Sequence, residues 1–541
     1  MINMTGRRQP RYGGDIDART PVVVGVGQSS ERLGDAGYRR RSPAQLAADA
    51  AREVLADTGA RERAVAEAID IVAGIRQFEN SGPGARARLG RSDNYPRSVA
   101  GRIGASPARA ILEVSGGQAP QHLVNEFAAV IAGGGSEAVL LVGSEAISTI
   151  QHYAEADDRP DFTEHADGSL EDRGYGLDGM MSRHLAEHGL TGAASQYALI
   201  ENARQARMAQ TRAQYAAAMG GLFAPFTRIA AANPHAAAPV ERSAAELVTP
   251  TPANRRIADP YTRYIVAREK VNQGAAVLMM SVGAARRLGV PADRWVFLHG
   301  HADVRERTLM DRADLSASPA AVLAARHALE VAGLRADELA TIDLYSCFPA
   351  PVFNICDGLG LAPADPRGLT VTGGLPFFGG AGNNYSMHAI AETVQRARQA
   401  PGSYGFVGAN GGIMSKYSAG VYGAAPVAWA PDRSGELQAE VDAWAAPAEA
   451  RSADGWAAIE TYTVKHGRDG TRTGIIIGRL DSDGRRFVAR ADDRDAELLG
   501  LLTTAPEVVG QRVYVRSFEF GNRVTAGKPH MDASSPVLSN P

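Results

Sequence analysis

The sequence predicts a layered α/β protein built from two copies of one unit, with a small β-rich domain appended. Three observations carry this reading. A strand–helix–strand phrase opens the chain, the same phrase returns about 274 residues later, and short β-rich runs replace it after "SAGVYGAAPVAWAP".

In the first copy, "TPVVVGVGQSS" (20–30) reads as a buried strand punctuated by glycine. "SPAQLAADAAREVLADTGA" (42–60) is a helix with Ser42 as N-cap, Pro43 in its first position and Gly59 closing it. "AIDIVAGI" (68–75) is the next short strand. "ILEVSGGQAPQHLVNEFAAVIAGGG" (111–135) then runs from an apolar strand through a glycine turn into a helix. A turn of that shape presents a reactive side chain or an anion to a helix N-terminus, yet this one holds no cysteine.

The second copy repeats the order with "WVFLHGHADV" (295–304), "SASPAAVLAARHALEVAGL" (316–334) and "TIDLYSC" (341–347). Within it "ARHALEVAG" (325–333) matches "AREVLADTG" (51–59), and Ile342-Asp343-Leu344 matches Ile69-Asp70-Ile71. Between the copies, residues 150–266 are polar and irregular, with helices expected at about 196–219 and 240–247. So long an excursion reads as a functional covering loop. "AIETYTVKHG", "GTRTGIIIGRLDSDGRRFVARA" and "QRVYVRSFEFGNRV", broken by "RDG" and "SDG", predict a separate small antiparallel barrel over 440–528.

Composition narrows the function. A chain of 541 residues holds two to four domains, and 57 Lys+Arg against 60 Asp+Glu leave a formal charge of −3. That balance gives no reason to expect nucleic acid or a membrane as partner. Two cysteines, Cys347 and Cys356, exclude a disulfide framework and a multi-cysteine zinc site, and point to a reduced, cytoplasmic location. The basic start "MINMTGRRQPRYGGDIDART" has no apolar core of a secretory signal, and no long uncharged apolar run occurs. His299 and His301 share a strand face in "FLHGHADV", but no carboxylate joins them by spacing, so a structural pair is expected and no metal.

The order strand, glycine turn, helix "PQHLVNEFAAVIAGGG" and strand "EAVLLVGSEA", inside a duplicated frame, resembles the thiolase superfamily, nearer its sterol-carrier-type members. "NQGAAVLMMS" (272–281) looks like that family's loop-exit strand, "LTVTGGLPFFGGAGNNYSMHAIAETV" (369–394) like its Gly-His-Pro segment, and "GANGGIMSKYSAGVYG" (408–423) like its closing Cys-x-Gly strand pair. The resemblance implies a five-layered αβαβα thiolase fold. Its N-terminal half would span 18–285 with the covering loop at about 150–266, its C-terminal half 286–428, and an OB-like barrel would extend it.

The same comparison removes the usual catalytic side chains. The nucleophilic cysteine falls at Gly117 or an immediate neighbour, the Asn-Glu-Ala-Phe segment becomes "CFPA" (347–350) with Phe348 for Asn, the histidine falls on Gly380, and the cysteine of Cys-x-Gly on Ala409. Losing the thiolate removes the thiolytic route. A retro-aldol or decarboxylative step survives, because it leaves the CoA thioester intact and needs an enolate stabilised and one proton moved. The resemblance implies an oxyanion hole of backbone N–H groups at Gly117 and Gly411, each worth about 3 kcal/mol.

Tyr345, Tyr385, His388 and Cys347 are the candidate catalytic side chains. Gln118, Asn383 and Asn384 are candidate polar contacts, though turn geometry alone explains them equally well. Arg228, Arg255 and Arg256 of the covering loop are candidates for the CoA 3′-phosphate. The expected function is carbon–carbon bond formation or cleavage on an acyl-CoA substrate, with no bound cofactor, in a homodimer whose "EVSG" regions meet. Two alternatives stay open. One is an acyltransferase using Ser115, Cys347 or free CoA thiol as nucleophile; the other is a non-catalytic acyl-CoA or lipid-binding protein.

Overall fold

A computed structural model describes residues 16–177, 180 and 182–538. The basic N-terminal stretch, up to residue 15, lies outside the described residues. In chain order the strands are β1 (Pro21–Ser30), β2 (Ile71–Gly74), β3 (Arg109–Leu112), β4 (Ala138–Glu145), β5 (Glu171–Asp172), β6 (Arg256–Ala258), β7 (Tyr261–Thr262), β8 (Gln273–Ser281), β9 (Val296–Arg305), β10 (Thr341–Leu344), β11 (Tyr404–Gly411), β12 (Lys416–Gly423), β13 (Gly455–His466), β14 (Arg472–Leu480), β15 (Arg486–Ala491), β16 (Arg512–Phe518) and β17 (Gly521–Thr525). The helices that matter here are α1 (Pro43–Asp57), α2 (Ala119–Ala132), α3 (Ala193–Arg207), α4 (Arg212–Ala232), α5 (Pro319–Ala332), α6 (Pro349–Leu359) and α7 (Tyr385–Gln399).

Ten strands form one sheet in the order β10-β11-β12-β9-β1-β8-β4-β2-β3-β5. Its two halves meet at β1 and β9, where Val22 and Val23 pair with Phe297 and Val296. Helices α2 and α7 pack against both halves through Leu123, Phe127, Ile390 and Val394, α1 covers the outer face of the first half, and α5 and α6 cover the second. The result is the five-layered αβαβα arrangement, with a buried helix layer between sheet faces.

The duplication is physical as well as textual. Val54 of α1 and Ala328 of α5 occupy matching positions, and each backbone carbonyl abuts a strand glycine. A Cβ on Gly25 would lie 2.5 Å from the Val54 carbonyl oxygen, and one on Gly300 would overlap that of Ala328. Ser42 caps α1 by accepting the Gln45 N–H, and Gly59 and Gly333 follow α1 and α5 at φ +67 and +65.

The covering segment is more ordered than its polar composition suggests. One helix expected over 196–219 is two, α3 and α4, because Thr211 caps a new helix by accepting the Gln214 N–H after Ala209 turns at φ +50. The helix expected at 240–247 is Ala244–Val248, started by Ser243. Tyr197, Leu199, Tyr215, Leu222, Phe223 and Phe226 of α3 and α4 join the core of the second half.

The C-terminal barrel closes in the order β13-β14-β15-β17-β16, with β13 pairing both β14 and β16. One pairing, β15 with β17, is parallel, so the barrel is not wholly antiparallel as its sequence suggested. Five strands in that order, with the helix Ala496–Thr504 connecting β15 to β16, give an OB-like barrel. Nor is it separate. Ala258 of β6 pairs with Lys465, Thr461 donates to the Leu199 carbonyl, and the fully buried Arg486 donates to the carbonyls of Met310 and Arg312. Among the described residues no helix is long and apolar enough to cross a membrane.

Candidate active site

The glycine turn at 115–118 follows β3 and leads into α2, and three side chains from the second half fix it. Asn383 accepts the Gly116 N–H at 2.9 Å while donating to the Arg76 carbonyl and Ser81; Lys416 donates to the Ser115 carbonyl at 3.0 Å; Ser386 donates to the Gly117 carbonyl. The Ser115 N–H is taken by the Tyr175 carbonyl. Gly116 adopts φ +148, which an L side chain resists, and the Gly117 N–H finds no acceptor among the described residues.

This turn forms the floor of a cavity of about 680 Å³. Gly117, Tyr345, Cys347, Asn383 and Gly411, five of the residues singled out in the sequence, line it together. Tyr345 follows β10, whose parallel pairing with β11 carries it to the floor; its N–H donates to the Gly408 carbonyl. A Cβ on Gly117 would overlap the Tyr345 hydroxyl and lie 2.6 Å from the Asn410 carbonyl oxygen. The phenol therefore stands where a side chain at residue 117 would begin. Gly411 closes in from β11, its would-be Cβ 3.2 Å from the Gly117 nitrogen.

Burial sets the protonation of this floor. It raises the Tyr345 phenol above its ordinary value, with the Cys347 thiol adding to the effect, so Tyr345 is a hydrogen-bond donor at neutral pH. Cys347 is pushed up to about 12 by burial and sits in a closed group with Asn410, whose amide lies 3.9 Å from its sulfur and donates to Tyr197 at 2.8 Å. Tyr197 in turn donates to the Gly412 carbonyl and stacks on Phe348. A thiol held neutral and occupied in this way is a poor nucleophile.

Other expected residues lie elsewhere. The Tyr385 hydroxyl is bound to Thr372 at 2.5 Å and Asp343 at 3.3 Å, behind the cavity wall. His388 is fully buried against Gln28, 2.7 Å from it, and burial together with His235 lowers it to about 3. Asn384 packs against β4 at Gly143, and Gln118 folds beneath the turn against Gly116 and Gly411. Ser115 points to the Ser81 carbonyl and not to His388. Arg228 pairs with Glu241, Arg256 with Asp259, and Arg255 donates to the His466 carbonyl, so none of the three lines the cavity. His301 is held by Asp432 and stacks on Trp429, while burial lowers His299 to about 4. Among the described residues no group of three His, Cys, Asp or Glu is placed to hold a metal.

Instead the cavity takes its charge from Arg242, Arg263, Arg268, Lys270 and Arg468. Arg242 lies 4.1 Å over the Tyr264 ring. Arg268 has a buried Nε without an acceptor, and burial plus the charges of Arg263 and Arg242 lower its pKa. Arg468 sits on the β13–β14 hairpin, so the barrel reaches the same cavity. The charged run "REKV" (268–271) just before "NQGAAVLMMS" was the available signal for Arg268 and Lys270; nothing local marks Arg468. Clustered guanidinium groups with an orphaned donor suit a phosphate or phosphoanhydride.

Residues 436–519 match the family described as thiolase-like protein type 1 additional C-terminal domain. The chain is similar to the crystal structure of a monomeric SCP2-thiolase-like protein type 1 from Mycobacterium smegmatis, at 51% identity and TM-score 0.82, covering 94% of this chain and 100% of that one. In fold alone it is similar to an Ltp2-ChsH2(DUF35) aldolase (20% identity, TM-score 0.53, 75% of this chain, 98% of that one) and to the dimeric peroxisomal thiolase of Saccharomyces cerevisiae (16%, 0.53, 75% and 98%). No curated protein matches. The expected homodimer is overturned by the monomeric description of the 51% identical relative. The geometry gives a reason: the outer edge of β3, where a second copy was expected, is taken by the chain's own β5, with Ile111 and Leu112 paired to Glu171 and Asp172.

Proposed function

Because this chain belongs to the family of SCP2-thiolase-like proteins of type 1, we propose that its cavity binds an acyl-CoA thioester and makes or breaks a carbon–carbon bond beside the intact thioester. The observation that carries this reading is the Tyr345 hydroxyl occupying the start of any side chain at residue 117, next to the Gly117 N–H, which has no acceptor among the described residues. An acyl-enzyme at that position has no atom to form on. A thioester carbonyl placed there would meet two donors, the phenol and the backbone N–H, which stabilise the enolate of an aldol or retro-aldol step.

The basic groups Arg242, Arg263, Arg268, Lys270 and Arg468 would take the phosphates of CoA while its acyl end reaches the floor. Free thiols at Cys347 and Cys356 go with a reducing, cytoplasmic setting. An acyltransferase is the weaker reading, since the Cys347 thiol is pushed up to about 12 and Ser115 is buried off the cavity. The test is incubation with short, branched and steroid-like acyl-CoAs, followed by intact mass, product analysis and calorimetric titration. Product with no protein adduct is expected. An adduct on Cys347 or Ser115 would restore the acyltransferase, and tight binding with no product would leave a binding protein.

A further inference from the structure

Resting on the acyl-CoA reading, a second question concerns the proton. Enolate chemistry needs a base, and Tyr345, neutral and a donor, is not one. The resemblance put the family's histidine on Gly380, a residue with no side chain. In the structure the Gly380 N–H donates to the Arg268 carbonyl at 2.8 Å, and the strip around it is stitched to the cavity wall: Ala267 N–H to the Cys347 carbonyl at 2.9 Å, Arg268 N–H to that of Leu375 at 3.1 Å. The next residue along that strip is Glu269, which lines the cavity together with Gly117 and Tyr345.

Glu269 is the one carboxylate among the cavity's lining residues, and its carboxyl makes no hydrogen bond or ion pair among the described residues. Behind it stands Glu145, 1% exposed, accepting the Phe78 N–H at 2.8 Å and packed so closely under Gly382 that a Cβ there would overlap its oxygen. Phe78 and Gly382 are themselves lining residues, so Glu145 backs the same wall. We propose that Glu269 is the proton-moving residue of this cavity, taking the place of the absent histidine. Its carboxylate removes a proton from the carbon next to the thioester carbonyl. The C–H bond breaks, its electron pair becomes the enolate double bond, and the carbonyl oxygen gains the charge that Gly117 N–H and Tyr345 stabilise. Protonated Glu269 then returns the proton.

The surroundings suit this role. The Glu269 side chain is exposed to the cavity, and desolvation by the surrounding wall raises its carboxyl above the ordinary carboxylate value. Burial first, then Glu79 and Glu269, raise the Glu145 carboxyl well above its ordinary value, which favours its neutral form. Glu79, raised to about 7, lies beyond it, and Arg242, Arg263, Arg268 and Lys270 line the same cavity as cations.

The experiment is deuterium exchange into acetyl-CoA and butyryl-CoA in D₂O, read by mass spectrometry of the acyl group, with binding followed by calorimetry. The unaltered protein should exchange the α-hydrogens. Glu269→Gln should lose about 100-fold in rate with binding changed less than about threefold, Glu269→Asp should keep part of the rate, and the rising acid limb of the pH profile should vanish in Glu269→Gln. Exchange that persists in Glu269→Gln, or its absence from a protein that binds both thioesters, overturns the role of Glu269 and leaves the acyl-CoA reading standing. No binding of either thioester overturns both.

Discussion

The two copies of the repeated unit put the same short strand in opposite circumstances. In the first, Asp70 of Ile69-Asp70-Ile71 is half-buried and ties the strand to a surface turn, accepting the Ser136 hydroxyl and the Glu137 N–H at 2.9 Å. In the second, Asp343 of Ile342-Asp343-Leu344 is 1% exposed and accepts the Thr370 hydroxyl and Val371 N–H at 2.9 Å, the Thr372 N–H and hydroxyl, and the Tyr385 hydroxyl. The first copy uses its aspartate to tie the start of β2 to the turn that leads into β4. The second uses it to hold the segment whose neighbours, Tyr345 and Cys347, shape the cavity. A duplicated frame can thus keep one half as scaffold while the other builds the site, because the sheet partner and not the motif decides what each residue meets.

The comparison is breakable. The largest effect should come from Asp343→Ala, which strands several buried donors and should destabilise the protein by about 4 kcal/mol in denaturant unfolding. A cost below about 1 kcal/mol would mean that the second copy's aspartate is no more than a surface tie.

Next in size is a pH effect. Burial raises the Asp343 carboxyl to about 6. The folded chain therefore holds that proton more tightly than the unfolded one. Its stabilising contribution is full below about pH 4 and is lost as pH rises through about 6, a change of up to about 3 kcal/mol. Asp343→Asn should flatten that part of the stability–pH curve, and an unchanged slope would assign the titration to another group.

A smaller effect sharpens the floor of the cavity. Gly117→Ala should cost about 2 kcal/mol, because its Cβ overlaps the Tyr345 hydroxyl, and Tyr345→Ala in the same chain should recover much of it. Simple additivity of the two changes would place the phenol elsewhere. The smallest effect should be Asp70→Ala, below about 1 kcal/mol in the same unfolding assay. A cost equal to that of Asp343→Ala would erase the difference between the copies.

Much of the frame was legible without coordinates. Caps such as Ser42, apolar runs such as "AIDIVAGI" and the returning phrase "ARHALEVAG" are local signals, and local signals survive folding when the packing agrees with them. One miss was a local cap passed over, the other a strand pairing between segments remote in sequence. The Thr211 cap split one expected helix into α3 and α4, and the β15–β17 pairing turned an antiparallel barrel into one with a parallel closure. At the site, Tyr345, Gly117 and Gly411 were readable through glycine turns and strand ends. Asn410, Glu269 and Arg468 were not, since each lines the cavity only through segments remote in sequence.

What the sequence by itself determined is the doubled α/β frame, the fused β-rich domain and the absence of a side chain at residue 117. Only the tertiary structure decided that the Tyr345 hydroxyl takes up that space, that β5 covers the edge where a second copy was expected, and that a barrel arginine meets the covering segment's basic residues at one cavity. The physical reason is the same in each case. Periodicity and capping act within a few turns of chain, whereas the occupant of a buried space is chosen by close packing among elements that the fold alone brings together.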